Sequence, residues 1–142
     1  MTRGILIAGN ESSLSRAVEA EAKKRVESYA AAFIPNRLAG APPQQKNAPE
    51  DKARISLDWN PVSPISARTL TLACENRLGN IDEAVLICSP PSGRCSAAEL
   101  SLADVEVMMN DHVKGWFFLA RELALSFSNR KRGILAFVYS DS

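Results

Sequence analysis

The chain has 142 residues, 46% of them hydrophobic and 23% charged, and 17 basic against 16 acidic side chains leave a formal net charge of +1. This mix suits a single globular domain over residues 1–142 and gives no electrostatic reason to expect nucleic acid or an anionic membrane as a partner. No apolar run approaches the roughly 18 residues of a membrane span, and the N-terminus lacks the cleavage pattern of a signal peptide, so the expected location is the cytoplasm. Cys74, Cys88 and Cys95 form no C-x-x-C pair. They are expected to be reduced, with Cys74 and Cys88 in the core and no metal site.

In chain order, Gly4 to Ala8 is a continuous apolar run that stops at Gly9-Asn10. Apolarity on consecutive residues suits a strand covered on both faces, as in a parallel sheet. Ser12 or Ser13 offers an N-cap to a helix with Leu14, Ala17, Val18 and Ala22 inward and Glu19, Glu21, Lys23, Lys24 and Arg25 outward. Tyr29 to Ile34 reads as a second strand, stopped by Pro35. Residues 38–52 carry Gly40, Pro42, Pro43, Asn47 and Pro49, which fit neither a central strand nor a regular helix, and a flexible loop is expected there. Arg54 to Trp59 reads as a third strand. Turn signals at Asn60-Pro61 and Ser63-Pro64 then lead into a helix over Ile65 to Leu78, with Leu70, Ala73, Cys74 and Leu78 inward and Gly79 as its stop.

Ala84 to Cys88 is the clearest strand, entered through Ile81-Asp82. Ser101-Leu102-Ala103-Asp104 is a capping box in its Asp form. It opens a long helix to about Phe127 whose apolar residues cover more than one narrow stripe, so burial from two sides is expected. Asn129 to Gly133 turns the chain into a last apolar strand, Ile134 to Tyr139. Alternating strands and helices predict an α/β domain with a doubly wound parallel sheet of about five strands and right-handed crossovers.

Four segments, in the same order and spacing, resemble the N-terminal Rossmann-like part of the short-chain dehydrogenase/reductase family. Ala8-Gly9-Asn10-Glu11-Ser12-Ser13-Leu14-Ser15-Arg16-Ala17 resembles the T-G-x-x-x-G-x-G turn. Leu57-Asp58 stands where the family has an Asp near the adenine ring. Asp82 leads into a strand ending Leu86-Ile87-Cys88-Ser89, the place of N-N-A-G. Met109 to Phe117 is similar to the N-x-x-G-x-F stretch of a long helix. The resemblance implies NAD or NADP as cofactor, with Gly9, Ser13, Ser15, Arg37 and Asp58 as binding residues, Arg37 as reader of a 2′-phosphate, and Asn110 and Ser140 in the catalytic positions.

The departures bear on function. Ser13 and Ser15 replace the second and third glycines, which let the backbone approach the pyrophosphate and the helix pack close. A serine hydroxyl also bonds phosphate and the helix N-terminus still offers N–H groups, so dinucleotide binding is expected to be weak or lost. Leu86-Ile87 replaces two asparagines. Neither Tyr29 nor Tyr139 has a Lys four residues on, so the family's Tyr-x-x-x-Lys proton donor is absent from the sequence. Asn110 reads either as that family's active-site asparagine or as a polar residue at a helix irregularity. His112, the single histidine, reads as a partly buried structural residue ahead of an acid or base.

These features imply a non-catalytic subunit or interaction module. The alternative is an NAD(P)-dependent oxidoreductase component whose catalytic half comes from a partner or a longer chain. The last strand is expected to be an exposed apolar edge, and the long helix to expose Trp116 or Phe117, Leu123 and Phe127. Self-association or a completing polypeptide over 101–127 and 134–139 is the expected partner, with neither nucleic acid nor membrane.

Overall fold

The apolar run at the start of the chain forms β1 (Ile5–Asn10), and Ile5 to Gly9 are all buried. A strand buried on both faces needs partners on both edges, and β1 has them: β2 (Tyr29–Ile34) on one side and β4 (Glu83–Cys88) on the other, both parallel. The computed structural model describes residues 3–34, 52–88 and 98–139. With β3 (Arg54–Ser56) beside β2 and β5 (Ile134–Tyr139) beside β4, the sheet has five parallel strands in the order β3-β2-β1-β4-β5.

Helix α1 (Ser13–Arg25) covers one face of this sheet, where Ile5, Ile7, Tyr29, Ala31 and Ile87 meet Ala22. Helices α2 (Pro64–Leu78) and α4 (Gly115–Arg130) cover the other, over Leu6, Ala8, Ala30, Ala32, Ala84 and Leu86. The two-residue alternation of strand side chains assigns these sets to opposite faces. The doubly wound α/β architecture is therefore as the sequence predicts, and the strand order reverses between β1 and β4, the place where ligand crevices form in such sheets.

Several local expectations change. The first strand runs on to Asn10, and the third stops at Ser56, where its ladder with β2 ends. Helix α2 begins at Pro64, capped by the Ser63 side chain, and ends at Gly79 with φ +87°. On α1 the inward row is Ser15, Glu19 and Ala22, with Leu14 and Val18 half-buried, whereas Ala17 is exposed. Glu19 thus lies inside, not outside. Its carboxylate accepts a 2.8 Å hydrogen bond from the Tyr29 hydroxyl and sits 3.3 Å from Arg54 Nε, which offsets burial of the charge.

The long helix expected to about Phe127 is broken into α3 (Leu102–Met108), a π-helical segment (Met109–Lys114) and α4, and it reaches Arg130. In the π segment the Gly115 N–H donates to the Asn110 carbonyl, five residues back. The wider turn turns the residues that follow relative to a continuous α-helix, and Asp111, Gly115 and Trp116 all end up buried. Trp116, Leu119 and Leu123 face the core; of the expected alternatives Trp116 or Phe117 it is Phe117 that lies on the surface, at 64% exposed, whereas Leu123 is not a surface residue as expected and Phe127 is half-buried.

Leu102, Val105, Met109, Val113, Phe117 and Leu125 form an exposed apolar row along the outside of this helix assembly. The outer edge of β5 pairs with no strand among the described residues, and Ile134, Phe137 and Tyr139 are exposed on it. No helix among the described residues is long and apolar enough to cross a membrane. The loop expected over 38–52 lies outside the described residues from 38 to 51.

Candidate functional site

The site begins where β1 gives way to α1. Gly9 has φ +135°, and a Cβ there would overlap the Ile87 carbonyl oxygen and the Trp116 ring. Glycine is required on both counts: the backbone conformation, and the closeness of β4 and α4. Beyond it, Ser12 is the N-cap of α1 and forms a capping box with Ser15. The Ser12 Oγ accepts from the Ser15 N–H at 3.2 Å; the Ser15 Oγ accepts from the Ser12 N–H at 2.8 Å and donates to the Ser12 carbonyl at 2.8 Å. Ser15 is fully buried, and Ser13, the first helical residue, is exposed. The serine in the place of the third glycine has both its donor and its acceptor engaged within the turn.

Asn10 follows Gly9 and faces the π segment. Its Nδ2 is 3.2 Å from His112 Nδ1, and its Oδ1 is buried with no hydrogen-bond partner. The amide nitrogen can donate only to an unprotonated Nδ1, so this contact belongs to the neutral imidazole. Burial lowers the His112 pKa below its ordinary value of 6.5, against an opposing pull from the Asp111 charge. The unfolded chain then takes up a proton at a higher pH than the folded one, so the stability held by neutral His112 is fully present above pH 6.5 and is lost as pH falls toward the lowered folded value. Urea titrations between pH 7 and pH 5 should show stability falling with pH, with a shallower fall in His112→Gln. An unchanged slope in that variant would show that His112 does not carry the effect.

A second feature is a cleft of about 530 Å³ at the C-terminal ends of β2 and β3, within the range of small-molecule sites. Phe33, Arg54, Asp58, Trp59 and Ser66 line it, together with Glu11 from the β1–α1 turn. Arg54 stacks on Phe33 at 5.0 Å and forms its ion pair with Glu19, although Nε is not aligned for a hydrogen bond. Trp59 meets Trp116 edge to face at 6.3 Å; both are 6% exposed and neither indole N–H has a hydrogen-bond partner.

The structure thus places Gly9, Ser13 and Ser15 in one turn, which contributes Glu11 to the cleft, and Asp58 in the lining of that cleft. Asn110 lies in the π segment, half-buried. Arg37, Ser140 and Cys95 lie outside the described residues. Burial pushes the Cys74 thiol up to about 12, helped by the nearby Glu75 charge, and burial also raises Cys88; both thiols are therefore poor nucleophiles. No group of three potential metal ligands occurs among the described residues. Sequence reasoning missed Glu11, Glu19, Arg54 and Trp59. The signal for Glu19 was its spacing in the row Ser15-Glu19-Ala22, which polarity alone obscured.

No protein-family profile matches the chain, and no curated protein matches it. Solved structures do. The NADP-bound structure of ElxO matches with TM-score 0.72 at 13% identity, over 96% of this chain and 55% of that one. A short-chain dehydrogenase from Leptospira borgpetersenii with bound NAD+ matches with TM-score 0.71 at 12% identity, over 96% and 51%. A structure described as a putative short-chain dehydrogenase/reductase family oxidoreductase from Aeromonas hydrophila matches with TM-score 0.69 at 14% identity, over 95% and 59%. The chain spans a little over half the length of the chains it matches. At such identities the likeness is one of fold: this chain has the Rossmann-like fold seen in short-chain dehydrogenase/reductase structures.

Proposed function

We propose that this chain is a cytoplasmic, non-catalytic subunit or interaction module built on a dinucleotide-binding fold, with weak or lost affinity for NAD or NADP. The observation that carries this reading is the Ser12–Ser15 capping box. A helix N-terminus holds phosphate with unpaired backbone N–H groups. Here the Ser12 and Ser15 N–H groups are already bonded within the turn, and the Ser15 hydroxyl gives its proton to the Ser12 carbonyl and so has none to donate to a phosphate. The structural neighbours with bound NADP and NAD+ support nucleotide as the relevant ligand class, with Gly9, Ser13, Ser15, Arg37 and Asp58 as the residues that would meet it.

The apolar row on the helix assembly and the edge of β5 support a protein partner, either a second copy or a completing polypeptide. A second reading is an oxidoreductase component completed by a partner or a longer chain. It is favoured by Asn110, which lies in a π segment, a feature frequent at functional sites; Ser140 would be its other catalytic residue.

Thermal-shift titration separates the two readings. A ligand at one hundred times its Kd stabilises the folded state by about 2.7 kcal/mol. The native chain is expected to show no resolvable rise in Tm with NAD(H) or NADP(H). The double variant Ser13→Gly, Ser15→Gly is expected to begin about 1 kcal/mol less stable, through loss of the Ser15 half of the capping box and the helical cost of glycine, yet to gain a clear rise with dinucleotide. Strong stabilisation of the native chain would instead favour the oxidoreductase component.

A further inference from the structure

The backbone of β5 has two sides, and one of them is unused. The Ile134 N–H donates to the Asp82 carbonyl at 3.0 Å, and the strand pairs with β4 without a break from Ile134 to Tyr139. In a parallel ladder every second residue gives both its N–H and its C=O to the same neighbour. Ile134, Ala136 and Val138 therefore bond toward β4. Leu135, Phe137 and Tyr139 present their N–H and C=O groups on the outer side, where no strand pairs among the described residues. The strand reads Ile-Leu-Ala-Phe-Val-Tyr. It lacks the charge, proline or bulge with which natural edges refuse a partner.

We infer that the outer side of β5 pairs antiparallel with β5 of a second copy, joining two five-stranded sheets across a two-fold axis. Resting on the protein-partner reading, this pairing names the partner and the edge it takes. The axis passes beside Phe137. In that register Phe137 bonds to Phe137 of the second copy, Leu135 bonds to Tyr139 of the second copy, and each outward N–H and C=O meets its complement. A two-fold axis normal to the sheet keeps equivalent faces together. Leu135 packs against the core on the α4 face, so Phe137 and Tyr139 lie on that face too, and the pairing sets aromatic and aliphatic side chains opposite one another there. The strand is thus its own complement. The sheet's other edge, β3, is three residues long, too short to repeat the pairing, so association closes at two copies. Phe137 and Tyr139 are 57% and 75% exposed, which leaves each on the order of 100–150 Å² to cover. Together with Ile134 and the backbone this falls short of the roughly 1,200 Å² at which standard interfaces begin. The dimer is accordingly a weak one, with a Kd on the order of 10–100 μM.

The test follows the full chain from about 1 μM to about 1 mM, a range that brackets this Kd, by sedimentation and by amide hydrogen exchange. The expected mass doubles across that range and rises no further. Over the same range exchange should slow selectively at the Leu135, Phe137 and Tyr139 amides, while the Ala136 and Val138 amides, bonded to β4, are protected throughout. Phe137→Lys places a charge on the edge and is expected to weaken the dimer at least tenfold. Phe137→Pro should do the same, since the N–H it removes takes no part in the ladder to β4. A mass that stays at one copy, or that grows past two, would overturn the inference. So would a dimer whose outer β5 amides exchange as fast as in the monomer, a readout on the native chain that holds even where a variant fails to fold. A dimer that resists both edge variants and dissociates with Phe117→Glu would also overturn it, yet would leave the protein-partner reading standing on the helix row, so the two failures are distinguishable.

Discussion

Gly9→Ala is expected to lower the stability of the chain by on the order of 3–5 kcal/mol, a large fraction of what a domain of this size possesses. Two effects add. A left-handed or mirror-β backbone at a residue with a side chain costs about 1–3 kcal/mol, and Gly9 has φ +135°. The new methyl also has nowhere to go, since the Ile87 carbonyl and the Trp116 ring occupy its place, and overpacking of a tight site costs about another 1–3 kcal/mol. Gly79 supplies the control. Its φ is +87°, but a Cβ there meets nothing within 4 Å, so Gly79→Ala should cost only the backbone strain, about 1–2 kcal/mol. Urea denaturation with unchanged m-value measures both. If Gly9→Ala were no worse than Gly79→Ala, the close approach of β4 and α4 to the turn would be wrong, and with it the placement of the candidate site.

The comparison of these glycines also shows how much of the molecule was legible in the sequence. Gly9 was readable because it ends a continuous apolar run. The bounds of β2 and β5 were readable too, since an apolar run meets Pro35 at one and leaves Gly133 at the other. Buried polar partnerships were not. Glu19 looks like a surface residue until the fold brings Tyr29 and Arg54, from two different strands, to its carboxylate. Ser15 was legible as a lost glycine, yet its hydroxyl was open to two readings, and only the geometry of the turn shows it spent on the helix cap. The third strand was overestimated because Leu57 and Trp59 continue the apolar alternation begun at Ile55 after the ladder to β2 has stopped. Of the cleft, Asp58 alone was foreseen. Glu11, Arg54 and Trp59 join it through strand order, which local pattern does not encode.

The helix assembly carries the other large effect. Its apolar residues span most of the circumference, so periodicity showed that two sides were apolar without showing which side faced the sheet. The π segment, announced in the sequence only by one of the two readings of Asn110, a polar residue at a helix irregularity, settles the matter by changing the helical phase before Gly115. Leu123 is consequently fully buried between α4 and the sheet, and Phe117 is 64% exposed. Leu123→Ala should therefore cost about 3 kcal/mol, within the range of 2–5 kcal/mol for truncating a buried leucine. Phe117→Glu should change the stability of the isolated chain by no more than about 0.5 kcal/mol. That substitution should act on association, because it puts a charge in the middle of the apolar row from Leu102 to Leu125. Light scattering on the two variants reads the difference. A chain that self-associates through this row will lose mass with Phe117→Glu and keep it with Leu123→Ala wherever the latter remains folded. Little loss of stability in Leu123→Ala, coupled with a collapse of Phe117→Glu, would mean that α4 presents its other face to the sheet. The phase set by the π segment would then be wrong, and Asn110 and His112 would need to be placed again.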